Sequence, residues 1–363
     1  MPRLDRMLIY LLLAGVAAAP LAAEEDPLVI ATWGGAYERV QREVLFEPFE
    51  AETGIAVETV PYNGGTDILE QVPDLVDMAM SESLAACAAN RLQSIDDLEL
   101  PPGSDGTPAR EDFIGGARHH CAITHTVYAT VIAYDNQAFS GQRPGRVADL
   151  FDTETFPGKR ALRKTPADNM EWALLASGVP RQELYNLLST PRGLELAFRR
   201  LKAIRDSIIW WEAGDEPVDL LESGEAVMAS GYNGRFFNAQ LDPDSSIEII
   251  WDGQVQEYQT WVIPADAGRP EAARQFIRFS TQTEPLVELA ERLAYGPARH
   301  SAEAQIRRHP DTGIDMRPHI PTHAYNSANA VAKDIVWYAH TLDRIRQRFD
   351  EWLENGEDAE EAQ

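Results

Sequence analysis

Asp168 and Glu171 stand three residues apart, so a helix would put both carboxylates on one face, where they can hold an ammonium group. The same two acids at a helix start also need no ligand, because negative charge is favoured there anyway. Arg235, in Asn233-Gly234-Arg235, offers a planar fork that fits a carboxylate, or else closes a salt bridge inside the protein. Trp33 precedes Gly34-Gly35; glycine lets the backbone approach closely, and an indole stacks on an alkyl chain or an ammonium. The plainer alternative is a core Trp followed by a turn. Tyr37 can donate its hydroxyl from the first turn of a following helix, or merely pack that helix. Ser81 is expected to cap a helix directly after a strand, where a hydroxyl and free N–H groups can also bind a carboxylate or fix an amine.

Cys87 and Cys121 are the only cysteines. They can form a disulfide, remain buried thiols, or bind a metal with His119, His120 and His125. The spacing fits no standard zinc pattern, so no metal is expected. An exported chain meets an oxidising compartment, which favours the disulfide. Closing that loop would stabilise the fold by about 3–4 kcal/mol.

The elements that must position these residues alternate. Leu28–Thr32 reads as a buried strand, Tyr37–Glu52 as a helix stopped at Gly54, Ile55–Val60 as a strand and Thr66–Gln71 as a short helix. Leu75–Ala79 reads as a strand, with a helix from Ser81 through Ala89. The alternation returns with a strand at Arg160–Leu162, helices at Asp168–Ala176 and Pro191–Arg205, and strands at Ile208–Trp211, Ala226–Ala229 and Ile247–Trp251. Helices then fill Pro270–Leu293 and Lys333–Leu353, and another is expected over Gly296–Arg308 with His300 and His309 on the surface. Such alternation means parallel strands with helices on both faces. Two apolar segments, Val127–Asp135 and Trp261–Pro264, read as crossings between two lobes. The expected division is a leader at 1–23, a first lobe from 24–131 and 262–353, a second lobe at 132–261, and an acidic frayed tail at 354–363.

The chain has 363 residues, 32 Lys+Arg against 58 Asp+Glu, and a net charge of −26, too acidic to neutralise nucleic-acid phosphates or adsorb to anionic lipid. Its length exceeds what one hydrophobic core usually serves. Arg3 and Arg6 precede the apolar run Met7–Ala22, and Ala22-Ala23 precede acids. That is the pattern of a secretory signal peptide cleaved after Ala22 or Ala23. No cysteine lies near that point for lipid attachment, so a periplasmic protein without a lipid anchor is expected.

Trp33-Gly34-Gly35-x-Tyr37-Glu38 and Glu52-Thr53-Gly54-Ile55 resemble the start of bacterial extracellular solute-binding proteins of the spermidine/putrescine type, which includes receptors for polyamines, γ-aminobutyrate and opines. Further motifs agree in order: Phe156-Pro157-Gly158-Lys159-Arg160, Glu171-Trp172-Ala173, Gly224-Glu225-Ala226-Val227-Met228, Tyr232-Asn233-Gly234-Arg235, Trp251-Asp252-Gly253-Gln254 and Tyr295-Gly296-Pro297. The resemblance implies an α/β, two-lobed periplasmic binding protein of type II, each lobe a sheet flanked by helices, with two hinge crossings. It implies a small amine-bearing or zwitterionic ligand in the interlobe cleft, delivery to an inner-membrane ABC permease, no catalysis and no cofactor; monomer is the family's default. The implied ligand residues are Trp33, Gly35, Tyr37, Ser81, Asp168, Glu171, Tyr232 as an aromatic platform, Arg235, and Tyr295 at the cleft edge. One departure stands out. Where polyamine receptors carry an aromatic and an Asp two residues apart, this chain has Glu257 and Gln259. Either Glu257 takes over the ammonium, or the ligand lacks an amine there.

Two alternatives fit the same architecture less well. A ferric-ion receptor needs clustered tyrosines, and Tyr232, Tyr258 and Tyr295 are scattered. An enzyme needs an activated nucleophile, and no serine sits in a nucleophile-elbow motif.

Overall fold

The computed structural model describes residues 26–355. The expected leader, and the expected tail beyond residue 355, lie outside them. Among the described residues no helix is long and apolar enough to cross a membrane.

Eleven strands form one sheet. They are β1 (Leu28–Thr32), β2 (Val57–Pro61), β3 (Leu75–Ala79), β4 (Arg118–His119), β5 (Ala122–Asp135), β6 (Arg160–Arg163), β7 (Ile208–Trp211), β8 (Met228–Tyr232), β9 (Ile247–Val262), β10 (Gly296–Pro297) and β11 (Val331–Ala332). The main order is β2-β1-β3-β9-β5-β8-β6-β7. Parallel pairs lie on both flanks, β2-β1-β3 on one and β8-β6-β7 on the other. Leu28, Ile30, Leu75, Val76 and Met78 are fully buried, as strands covered on both faces require.

The long strands β5 and β9 join the two halves. They pair antiparallel from Asp135 opposite Ile247 to Ile123 opposite Trp261, with register breaks between Thr124 and Thr126 and between Thr130 and Ile132. The expected crossing at Val127–Asp135 is most of β5. The second crossing differs from expectation: it is β9 itself, and Trp261 already pairs with Asp77 in the first half. Ile247–Trp251 is only the start of that strand. Gly253, at φ 71°, kinks the chain there but does not end it.

Register fixes the orientation of the flanks. Ala79 at the end of β3 lies opposite Gln259, and Tyr232 at the end of β8 lies opposite Thr130. Both sets of parallel strands therefore aim their carboxyl ends at the middle of the β5–β9 pair. Ligands in sheets of this kind sit beyond such ends.

The last helix, Ile335–Asn355, touches both halves. Ile335 packs against the buried cluster that includes Met80 and Cys121. Ile345, Phe349 and Trp352 fill the core of the other half, where Trp210 meets Phe349 edge-on at 5.6 Å. The segment 296–308 is not one helix: β10 pairs with β5, and a single turn follows at His300–Glu303. His309 is buried rather than on the surface.

Cys87 and Cys121 form a disulfide. It ties the end of the helix Met80–Ala88 to the residue before β5. Closing a loop of 34 residues restricts the unfolded chain, so reduction should lower unfolding stability by about 3–4 kcal/mol in urea titrations. A midpoint unchanged by reductant would mean that the bridge adds nothing.

Candidate ligand-binding site

The strand ends deliver the side chains. Trp33 follows β1, Ser81 follows β3, Arg163 closes β6 with Asp168 just beyond, and Tyr232 closes β8 with Arg235 just beyond. Tyr128, Glu257 and Gln259 come from the crossing strands themselves.

Two adjoining cavities result, sharing Trp33, Tyr128 and Tyr232 as walls. The inner one, about 60 Å³, is also lined by Tyr37, Thr126, Arg235, Gln259 and Tyr295. The outer one, about 580 Å³, opens past Ser81, Arg163, Glu257, Lys333 and Tyr338.

The inner cavity is an aromatic box with donors in its walls. Tyr128 meets Tyr232 edge-on at 5.7 Å and Tyr295 at 6.5 Å, and Tyr37 tilts against Tyr295 at 5.8 Å. The indole Nε1 of Trp33 and Nε2 of Gln259 are buried without a partner among the described residues. Arg235, half-buried, has neither a hydrogen bond nor an ion pair among them. Gly35 is the counterpart of that arginine: a Cβ there would lie 3.6 Å from Nη1, and φ is +61°. Any other residue would be strained at that φ, although a Cβ would meet the guanidinium only at ordinary contact distance.

Beneath the box lies a network that consumes one expected ligand group. The Tyr37 hydroxyl donates to Asp77 Oδ2 at 2.8 Å, and Gln41 Nε2 donates to the same oxygen at 2.6 Å. His125 Nε2 sits 2.9 Å from Asp77 Oδ1, and its ring stacks on Trp261 at 4.5 Å. Tyr37 therefore presents its ring to the cavity, with its hydroxyl spent on Asp77. His125 is committed likewise, and the described residues contain no cluster of three or more His, Cys, Asp or Glu placed to hold a metal.

At the outer cavity an acidic pair is already occupied, with Glu257 in the lining and Asp168 outside it. Lys333 Nζ donates to Glu257 Oε2 at 2.7 Å and lies 3.5 Å from Asp168 Oδ1. Glu257 also accepts from the hydroxyls of Ser81 and, at 2.9 Å, Tyr128. Thr130 donates to Asp168 at 2.9 Å. Burial alone would raise the Glu257 carboxyl, yet the Lys333 charge and these hydrogen bonds hold it below its ordinary range. Burial opposes charge on Lys333 too, but Asp168 and Glu257 overcome it and keep its ammonium protonated. Glu257 has thus taken an ammonium, one supplied by the protein.

Ser81 is not a cap; Ala79 occupies that position, and the Ser81 hydroxyl is turned across to Glu257. Asp168 is the residue before its helix and adopts φ 67°, a strained conformation for a non-glycine residue. Glu171 lines neither cavity. It is fully buried and accepts from the hydroxyls of Tyr185 at 3.0 Å and Tyr338 at 2.5 Å. Burial, aided by the nearby Asp168 charge, pushes its carboxyl up to about 7.

That shift gives a pH prediction. Unfolded, Glu171 ionises near the ordinary value of 4.5; folded, it keeps its proton until about pH 7. Stability therefore falls as pH rises between those values, by on the order of 3 kcal/mol. Glu171→Gln should flatten this slope and leave the protein more stable than wild type above pH 7. An equal loss of unfolding stability from pH 5 to pH 8 in wild type and Glu171→Gln, read from urea titrations, would remove Glu171 as its source.

Lys333, Arg163, Tyr128 and Tyr338 are site residues that sequence reasoning missed. Only Lys333 had an available cue: the chain has four lysines, at 159, 164, 202 and 333, so each is a departure from its preference for arginine.

With this geometry established, comparisons with known proteins locate the chain. Residues 45–322 match the family described as bacterial extracellular solute-binding protein. The γ-aminobutyric acid-binding protein of Pseudomonas aeruginosa is 31% identical over 342 residues, covering 92% of this chain and 93% of that protein. The spermidine/putrescine-binding periplasmic protein of Escherichia coli is 23% identical over 267 residues, covering 69% and 72%. Among solved structures, the binding protein MotA of A. tumefaciens B6 in complex with glucopine superposes with a TM-score of 0.80 at 23% identity, covering 90% of this chain and 99% of that one. A structure described as a GABA receptor gives a TM-score of 0.76 at 26% identity, covering 91% and 98%.

The chain belongs to the bacterial extracellular solute-binding protein family. It is the solute-binding component of an ABC transporter, with the two-lobed α/β fold of periplasmic binding proteins, and it is not an enzyme.

Proposed function

We propose that the cleft binds a small amino acid whose carboxylate and ammonium are separated by a short alkyl chain, γ-aminobutyrate being the model compound. The observation that carries this is Arg235, a guanidinium without a partner among the described residues, facing an aromatic box. A buried carboxylate is best met by such a fork, joined here by the unpartnered N–H groups of Trp33 and Gln259. The ligand's ammonium lies over the faces of Trp33, Tyr128, Tyr232 and Tyr295. The relative that binds γ-aminobutyric acid supports this chemistry, as does the receptor of 26% identity. Ser81 bounds the ligand from the outer cavity, and Asp168, which lines neither cavity, acts on the ligand through Lys333; Glu171 supports the site through Tyr338, from whose hydroxyl it accepts.

In the same reading the leader is removed on export and no lipid is attached. The protein works as a periplasmic monomer and hands its ligand to an inner-membrane permease. The lobes are 24–131 with 262–353, and 132–261, and they close about β5 and β9.

Calorimetric titration of the purified chain tests the ligand class. γ-Aminobutyrate and 5-aminovalerate should bind with micromolar or tighter affinity. Binding of sugars or sulfate, with none by any amino acid, would overturn it.

A further inference from the structure

Lys333 stands at the junction of β11 and the last helix, far along the chain from the carboxylates it meets. Its ammonium touches Glu257 at 2.7 Å, lies 3.5 Å from Asp168, and is 5.0 Å from the centre of the Tyr338 ring. Two carboxylates and an aromatic face are what a receptor offers a ligand's ammonium. Here that set is nearly closed to solvent, with the lysine side chain 11% exposed, and it borders the cavity wall formed by Tyr128 and Tyr232.

We infer that Lys333 is a tethered substitute for a ligand ammonium, filling the second cation position of the cleft so that the site takes solutes carrying one positive charge and rejects diamines. This rests on the reading that the cleft holds a small amine-bearing solute. The tether makes the selection. A free diamine would have to displace a cation whose effective concentration is set by its own backbone, because both carboxylates of that position, Glu257 and Asp168, already face Lys333. Without displacement, its second ammonium would stand beside Lys333 as a like charge. A carboxylate-bearing amino acid meets neither obstacle, because its negative end points to Arg235.

The experiment compares wild type, Lys333→Ala and Lys333→Arg for binding of 1,4-diaminobutane and γ-aminobutyrate by calorimetry, with near-ultraviolet circular dichroism to check folding. Wild type and Lys333→Arg should bind the diamine at least about 100-fold more weakly than Lys333→Ala does. A folded Lys333→Ala protein with no gain for the diamine overturns the inference. So does a wild type that binds the diamine as tightly as it binds γ-aminobutyrate. Should Lys333→Ala fail to fold, the double variant Lys333→Met with Glu257→Gln removes one buried charge of each sign, and the wild-type diamine measurement still decides. If wild type binds no amino acid but Lys333→Ala gains the diamine, the proposed ligand fails while the role of Lys333 stands.

Discussion

Arg235→Ala is expected to weaken γ-aminobutyrate binding by roughly 100- to 1,000-fold while the unliganded protein melts within a degree or two of wild type. The two halves of that expectation share one cause. Arg235 holds no ion pair or hydrogen bond among the described residues, so the fold loses little with it. A ligand carboxylate left in the aromatic box without the fork would be desolvated and uncompensated. Arg235→Lys should be intermediate, since it keeps a charge but loses the bidentate geometry. Butyrate should lose affinity in the alanine variant as γ-aminobutyrate does, and butylamine should not. An alanine variant with wild-type affinity would move the carboxylate elsewhere in the cleft.

Asp77→Ala should cost about 3–5 kcal/mol of folding stability. Asp77 is fully buried on β3 and satisfies Tyr37, Gln41 and His125 at once. Alanine would leave all three groups without that acceptor in a site closed to water. Asp77→Asn should cost less, about 1–2 kcal/mol. Its oxygen can still accept from Tyr37 and Gln41, and its NH2 can donate to His125 Nε2 in the other tautomer. Urea unfolding of both variants checks the order. A loss below 1 kcal/mol for alanine would show that the network under the aromatic box is not a structural support.

The contrast between these residues explains what could be read from the chain alone. Leu28–Thr32, Leu75–Ala79 and Ile208–Trp211 have their expected limits because local apolar runs and turn residues define buried parallel strands. The long strand Ile247–Val262 was legible only at its beginning. Gln254, Gln256, Glu257, Gln259 and Thr260 break the apolar pattern because they serve other ends. Gln254 donates to the carbonyls of Pro321 and Asn326, and Glu257 gathers Ser81, Tyr128 and Lys333. Local rules fail where residues are chosen for a site instead of for their own strand. Trp33, Arg235 and Tyr232 were visible through short motifs. Lys333 was not, because its partners lie 76 residues away at Glu257 and further still at Asp168, a proximity that only the folded chain creates.

The last helix, rooted beside the disulfide at one end and in the opposite core at the other, carries a practical consequence. Any swing that parts the two lobes must bend that helix or pull Phe349 and Trp352 from their seats. A fluorescent reporter or immobilising handle fused behind it would drag on every cycle of capture and release, whereas the same attachment made ahead of Leu28 would leave the gait of the molecule untouched.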